Sequence, residues 1–277
     1  MLTNVSGSAD GDEVCRSDRG YITSLALVNA FTFTVGQPVT ATLLCITFTS
    51  RKSVDILNCN LALFHNFLYL VCILHFIFLL SWQHRAQRLL QLLLVYAQIG
   101  GPMSLCFICL ERYVAVIRPT SYPLLRRYRC REVGAVTVWV SSLCAAMVTI
   151  LTNNSPSTEW LMSAVPLGVM LLMTKLMVWG SISIARALRR SGPGRDELHP
   201  LKRKAFRTVC ATTALNLLCY IPVALLLEFK LLARQTFQCW LTPVCFLVLS
   251  AASVVHPMFY LSTQGGLPPF CKRPAAE

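Results

Sequence analysis

Three adjacent residues carry the densest chemistry in this chain. Glu111, Arg112 and Tyr113 set an acid, a base and a phenol side by side. They stand where a long apolar run, Leu89 to Leu110, gives way to a basic stretch, Arg118 to Arg131. Ionisable groups are costly at the mouth of an apolar helix, so they are usually functional there. Such side chains make and exchange ion pairs, and Arg112 is expected to pair with Glu111 at rest. Two histidines within apolar runs, His65 and His256, add titratable groups, and Lys175 adds a lone cation. The long stem of Lys175 suits snorkelling of its ammonium toward the cytoplasm. No nucleophile–base pair or cluster with metal-ligand spacing accompanies them, which argues against an enzyme and implies no cofactor.

The elements that position these groups are apolar blocks. The chain has 277 residues, 55% hydrophobic and only 13% charged; a soluble domain of this size carries about twice that charge. Seven blocks are long enough to cross a bilayer as helix, which takes roughly 20 residues. They lie at about 24–49, 56–80, 88–117, 133–152, 160–187, 204–229 and 237–262. Barrel strands would alternate instead, so helices are the spanning form. The fold class is therefore an all-α membrane protein, a seven-transmembrane helix bundle. Residues 1–23 form an extracellular amino-terminal segment, 24–262 the transmembrane domain, and 263–277 a short cytoplasmic tail. The first twenty residues hold no apolar signal-peptide core, so the first span serves as its own insertion signal.

The +13 net charge reads as topology rather than nucleic-acid binding. One side of the bilayer collects eighteen Lys and Arg residues, the other six, and Lys175 lies within a span. The positive-inside rule then puts the amino terminus outside and the carboxyl tail in the cytoplasm. Two glycosylation sequons, at Asn4 and Asn153, agree with that orientation. Most of the thirteen cysteines lie in apolar spans and behave as small hydrophobes. Cys15 and Cys239 fall outside, and either bridge the amino terminus to the last span or stay free thiols. Cys271, beside Lys272 and Arg273, is a candidate for palmitoylation or an unmodified cysteine.

Six landmarks in order resemble the rhodopsin-like family of G-protein-coupled receptors. They are Asn60-Leu61-Ala62-Leu63 in span two, Glu111-Arg112-Tyr113 in span three, Trp139 in span four and Pro166 in span five. Cys219-Tyr220-Ile221-Pro222 follows in span six and His256-Pro257-Met258-Phe259-Tyr260 in span seven. The resemblance implies a plasma-membrane receptor in which Arg112, Tyr113 and Tyr260 contact a heterotrimeric G protein. It also implies that Tyr220, Pro222, His256 and Pro257 form the activation hinge. Prolines supply the physical reason, because each removes a helix hydrogen bond and permits a kink. No acid stands at the base of span six, where the chain reads Lys202-Arg203-Lys204. A weak resting latch and raised basal signalling are the expectation.

Departures from the family pattern are also informative. The polar core that the family uses as a carboxylate-centred sodium site reads Thr40, His65, Gly101 and His256. Two imidazoles supply neither the hard oxygens nor the negative charge such a site needs. By the resemblance, His65 and His256 are neighbours. They either share a hydrogen bond as neutral rings, or one protonates near pH 6 and repels the other. The usual span-three disulfide is absent, with Gln87 at its position and no cysteine between Thr152 and Trp160. Ligand-lining positions fall at His75, Leu94, Gln98, Glu228, Phe246 and Ser250. Leu94 replaces the amine-receptor aspartate and Ser250 the retinal lysine, so neither a monoamine receptor nor an opsin is supported. Tyr220, Pro102 and Phe270-Cys271-Lys272 resemble an odorant-like branch of fish and amphibian type. A receptor for a small extracellular molecule is the leading reading. An accessory seven-helix protein that binds nothing is the alternative, and a transporter is disfavoured by the lack of repeats.

Overall fold

The computed structural model describes residues 19–49, 56–81, 87–122, 129–152, 159–190, 199–230 and 235–263. Its helices are α1 (Arg19–Thr49), α2 (Ile56–Ser81), α3 (Gln87–Ile117), α4 (Cys130–Thr152), α5 (Glu159–Arg190), α6 (His199–Leu215), α7 (Ile221–Lys230) and α8 (Gln235–Thr263). A π-helical turn, Asn216–Tyr220, joins α6 to α7, and the three pieces together form the sixth span. Seven of the helical stretches are long and apolar enough to cross a membrane. Among the described residues there is no strand. The sequence-based spans hold, with shifted ends: α1 begins at Arg19 rather than 24, α4 at Cys130 rather than 133, and α6 at His199 rather than 204. Hydropathy reads only the part of a helix that lipid must solvate. The backbone goes on satisfying its hydrogen bonds into the polar interface beyond.

Inside lipid, hydroxyls also need partners, and here they find them within their own helices. Thr32 donates to the Val28 carbonyl at 2.6 Å, Thr47 to Leu43 at 2.7 Å, Thr174 to Met170 at 2.7 Å and Ser181 to Met177 at 2.8 Å. Each bond spans four residues and folds a polar side chain back onto the helix surface.

α3 is the pillar of the bundle. Its apolar window is 67% buried, against 22% for those of α1 and α4. It packs on α2, α4 and α5, while α1 packs on α2 and α8. Leu105, Cys106, Ile108 and Cys109 of α3 meet Met177 and Ile184 of α5, Val209 of α6 and Ala252 of α8 in one core cluster. The thiols of Cys106 and Cys109 point at the carbonyls of Met173 and Met177, 3.9 and 3.8 Å away. These cysteines are small apolar packers with a weak donor, as their positions suggested. Two glycines allow close approach. A Cβ on Gly100 would overlap the Phe64 ring, and one on Gly36 would overlap that of Tyr69. Both rings are fully buried, and the missing side chains are what admit them.

Candidate switch and ligand sites

The acid at the end of α3 is held from the side. Glu111 is buried and Arg131, at the start of α4, pairs with its Oε1 atom. Tyr122 donates its hydroxyl to the same oxygen at 3.1 Å and accepts a hydrogen bond from Arg131. The guanidinium also sits 5.7 Å from the centre of the Tyr122 ring. Acid, phenol and guanidinium therefore close a triangle linking the end of α3, the following turn and α4. Burial, and next the Glu111 carboxylate, push the Tyr122 phenol above its ordinary range. Arg129, two residues before Arg131, takes a left-handed backbone (φ 51°) as the chain enters α4.

This corrects the expected pairing of Glu111 with Arg112. Adjacent residues on a helix point about 100° apart and do not face each other. One carboxylate oxygen, Oε1, is instead served across space by Arg131 and Tyr122, while Oε2 is buried without a hydrogen-bond partner. Arg112 itself is part-buried at the next position. Tyr113 turns to α5, its ring 4.7 Å from that of Trp179. Tyr260 packs beside Leu43, Ala62 and Leu261, on the α1–α2 side of α8.

The hinge positions are sharper than spacing alone could draw them. Pro222 has no N–H to return to the turn before it. Immediately ahead of it the helix widens, and Ile221 N–H bonds to the carbonyl of Asn216, five residues back. Asn216 is buried, with its side-chain amide nitrogen donating to Met177 Sδ at 3.0 Å and its side-chain Oδ1 without a partner. Pro222 was the only sequence signal for this turn. By contrast, α8 remains α-helical through both Pro243 and Pro257.

The polar core assembles as a pair and two bystanders. The rings of His65 and His256 lie 6.2 Å apart, edge to face. They share no hydrogen bond: both nitrogens of His65 and Nδ1 of His256 are buried without a partner. The expectation of a shared bond between neutral rings is therefore corrected, because the T-shaped approach aims no N–H at a lone pair. Gly101 keeps the space beside them open. A Cβ there would lie 3.8 Å from His65 Nε2 and 3.6 Å from the Tyr220 hydroxyl. Thr40 is fully buried but satisfied within α1, donating toward the carbonyls of Gly36 and Gln37. Among the described residues no group of three or more His, Cys, Asp or Glu is placed to hold a metal ion.

A second polar network crosses three helices nearby. Trp139 donates to Asn60 at 2.5 Å, Asn60 donates to Ser104 at 3.2 Å, and Ser104 donates to the Gly100 carbonyl at 2.8 Å. Asn60 and Trp139 were legible as landmarks; Ser104 was not.

Of the ligand-lining positions, the structure joins three. His75 stacks on Phe246 with ring centres 6.1 Å apart, and Phe246 packs against a cluster containing Leu94, Val71, Phe78 and Leu90. Asn29 of α1, which sequence reading missed, lies 3.0 Å from His75 Nδ1. Ser250 is buried and Gln98 half-buried. The Glu228 side chain lies outside the described residues, as do Asn4, Asn153, Cys15 and Cys271. Cys239 is disulfide-bonded, whereas ten other cysteines are free. A shallow surface hollow beside Cys239, too small to enclose a ligand, is lined by Gly20, Tyr21, Ser24 and Trp240.

No curated protein matches the chain. A family model described as "7 transmembrane receptor (rhodopsin family)" matches residues 37–260, which leaves out residues 19–36 of α1 and 261–263 of α8. With seven membrane-length helices and the arginine triplet at the end of the third, the chain belongs to the rhodopsin family of seven-transmembrane receptors.

Proposed function

We propose that this receptor carries a small-molecule signal, of odorant or other chemosensory type, to a heterotrimeric G protein. The observation that carries this reading is the Glu111–Arg131–Tyr122 triangle beside Arg112. It neutralises the acid next to Arg112 from outside the triplet, so Arg112 can reorient without exposing a buried, unpaired carboxylate. The amino terminus is extracellular and the carboxyl tail cytoplasmic, in keeping with the distribution of Lys and Arg. The widened turn before Pro222 is the point at which the end of the sixth span swings. A ligand drives that swing only through tighter binding to the open arrangement. Cys15 is the partner of Cys239, fastening the amino-terminal segment over the last span in place of the usual span-three bridge. Asn4 and Asn153 carry glycans, and Cys271 carries a lipid.

A second reading is favoured by one observation. Leu94, Phe246 and His75 pack on their neighbours where a ligand was expected. An accessory seven-helix protein that signals nothing would look the same. Second-messenger output separates the two. At matched surface expression and across an odorant and metabolite panel, the receptor reading expects a response that Arg112→Ala abolishes. Output no different between Arg112→Ala and the native chain, with every panel member, would leave only the accessory reading.

A further inference from the structure

Lys175 stands on the wrong side of its helix for a bundle function. α5 buries Met170, Met177 and Ile184 against the rest of the protein. Its opposite face exposes Gly168, Leu171, Leu172, Trp179 and Ile182, and Lys175 is exposed in the middle of that stripe. The whole stripe lies within the apolar window Leu167–Ala187. A cation is thus presented to lipid rather than to the receptor's interior.

Depth rules out simple snorkelling. Arg186, on the same face, marks the basic end of the helix. Lys175 precedes it by eleven residues, about 16 Å of helix. Glu159, at the other end, is sixteen residues away, about 24 Å. Half of a hydrocarbon core is about 15 Å. A lysine stem reaches roughly 6 Å, and on a helix it leans toward the N-terminus, away from the nearer, Arg186 end. The expectation that Lys175 reaches the cytoplasmic face is therefore not supported by its place on the helix. Ionisable side chains at this depth are rare, and they pair.

We propose that the exposed face of α5 is a docking surface for a membrane-spanning helix of another protein, one that carries an aspartate or glutamate near its midpoint. Charge complementarity selects the occupant. The carboxylate supplies the anion that lipid tails cannot, the leucines and Trp179 supply apolar contact, and Gly168, with nothing within 4 Å of its missing side chain, permits close approach. A second copy of this chain does not fit. Of its twelve acidic residues, those on the described helices are Glu111, Glu132, Glu159 and Glu228, each within six residues of a helix end. The proposal concerns assembly in the membrane and stands apart from what ligand the receptor recognises.

The test uses the full chain, fluorescently labelled, in phosphatidylcholine vesicles. The probe is a synthetic leucine–alanine helix with one central aspartate; the control carries leucine there. Energy transfer should report association about tenfold tighter with the aspartate helix than with the control. Lys175→Leu should erase the difference, Lys175→Arg should retain it, and Lys175→Glu should transfer the preference to a probe with a central lysine. Three results overturn the proposal. One is equal association of both probes with the native chain. Another is a preference that survives Lys175→Leu. The third is a preference lost when phosphatidylserine is added, which would assign Lys175 to a lipid headgroup.

Discussion

Two buried polar sites in this receptor are built by opposite rules. At the Arg112 end, Glu111 has a guanidinium as counter-charge and a phenol beside it, both on Oε1, and only Oε2 lacks a hydrogen-bond partner. In the middle of the bundle, His65 and His256 sit close together with three nitrogens unserved. A buried carboxylate cannot persist without counter-charge, so its partners are fixed by necessity. A neutral imidazole can persist, at the cost of the hydrogen bonds it forgoes. The charged site is thus a rigid brace between α3 and α4, and the neutral one is a tolerated gap between α2 and α8. Changes at the first should be severe, and changes at the second mild or favourable.

The largest expected effect is from Arg131→Ala, which strands Glu111 and should remove about 3 kcal/mol of stability. Thermal unfolding of the purified receptor reads it; the double variant Glu111→Gln/Arg131→Ala should recover most of the loss. If the single and double variants unfold alike, the brace is not the source. Next comes Gly100→Ala, whose methyl would press on Phe64 and cost about 1–3 kcal/mol. Gly101→Ala, one position on, meets only ordinary contacts beside His65 and should shift stability by less than about 0.5 kcal/mol. A large penalty at Gly101 would mean that the gap is occupied.

His65→Leu should hold or raise the unfolding temperature, by up to about 2 kcal/mol in stability, because two unserved nitrogens leave the core. A clear loss would mean that the histidine has a partner this arrangement does not reveal. Tyr122→Phe removes one hydroxyl and should cost about 1 kcal/mol. The pH dependence follows from the raised phenol. Its folded state favours the protonated form, so its contribution is complete below the ordinary value of 10.0. That contribution fades as pH climbs through the higher folded value. Alkaline unfolding curves of the native and Tyr122→Phe receptors should therefore converge; parallel curves would break the assignment.

What could be read from residues alone follows the same division. Spans were legible because lipid imposes one requirement on every residue of a run. Their ends were not, because water imposes none. The meeting of His65 and His256 was legible through the family pattern, since backbone topology decides which helices touch. Whether the rings bond depends on side-chain angles that no spacing encodes. Glu111 was misjudged for a related reason: proximity along the chain is not proximity around a helix. Asn29 gave no sign of its meeting with His75, being one polar residue in an ordinary apolar run. Cys239 was legible as a candidate for a bridge because it stands at the start of the last span, whereas most of the other cysteines lie deeper in apolar runs.

The turn at Asn216–Tyr220 has a consequence for anyone counting around the sixth span. A π turn takes up about one residue more than an α turn, which advances the helix by roughly 100°. A tally of inward and outward positions begun at Phe206 therefore slips out of phase beyond Tyr220. The two ends of that span keep separate calendars, and shortening the turn by one residue would bring them back into step by revolving everything from Ile221 onward.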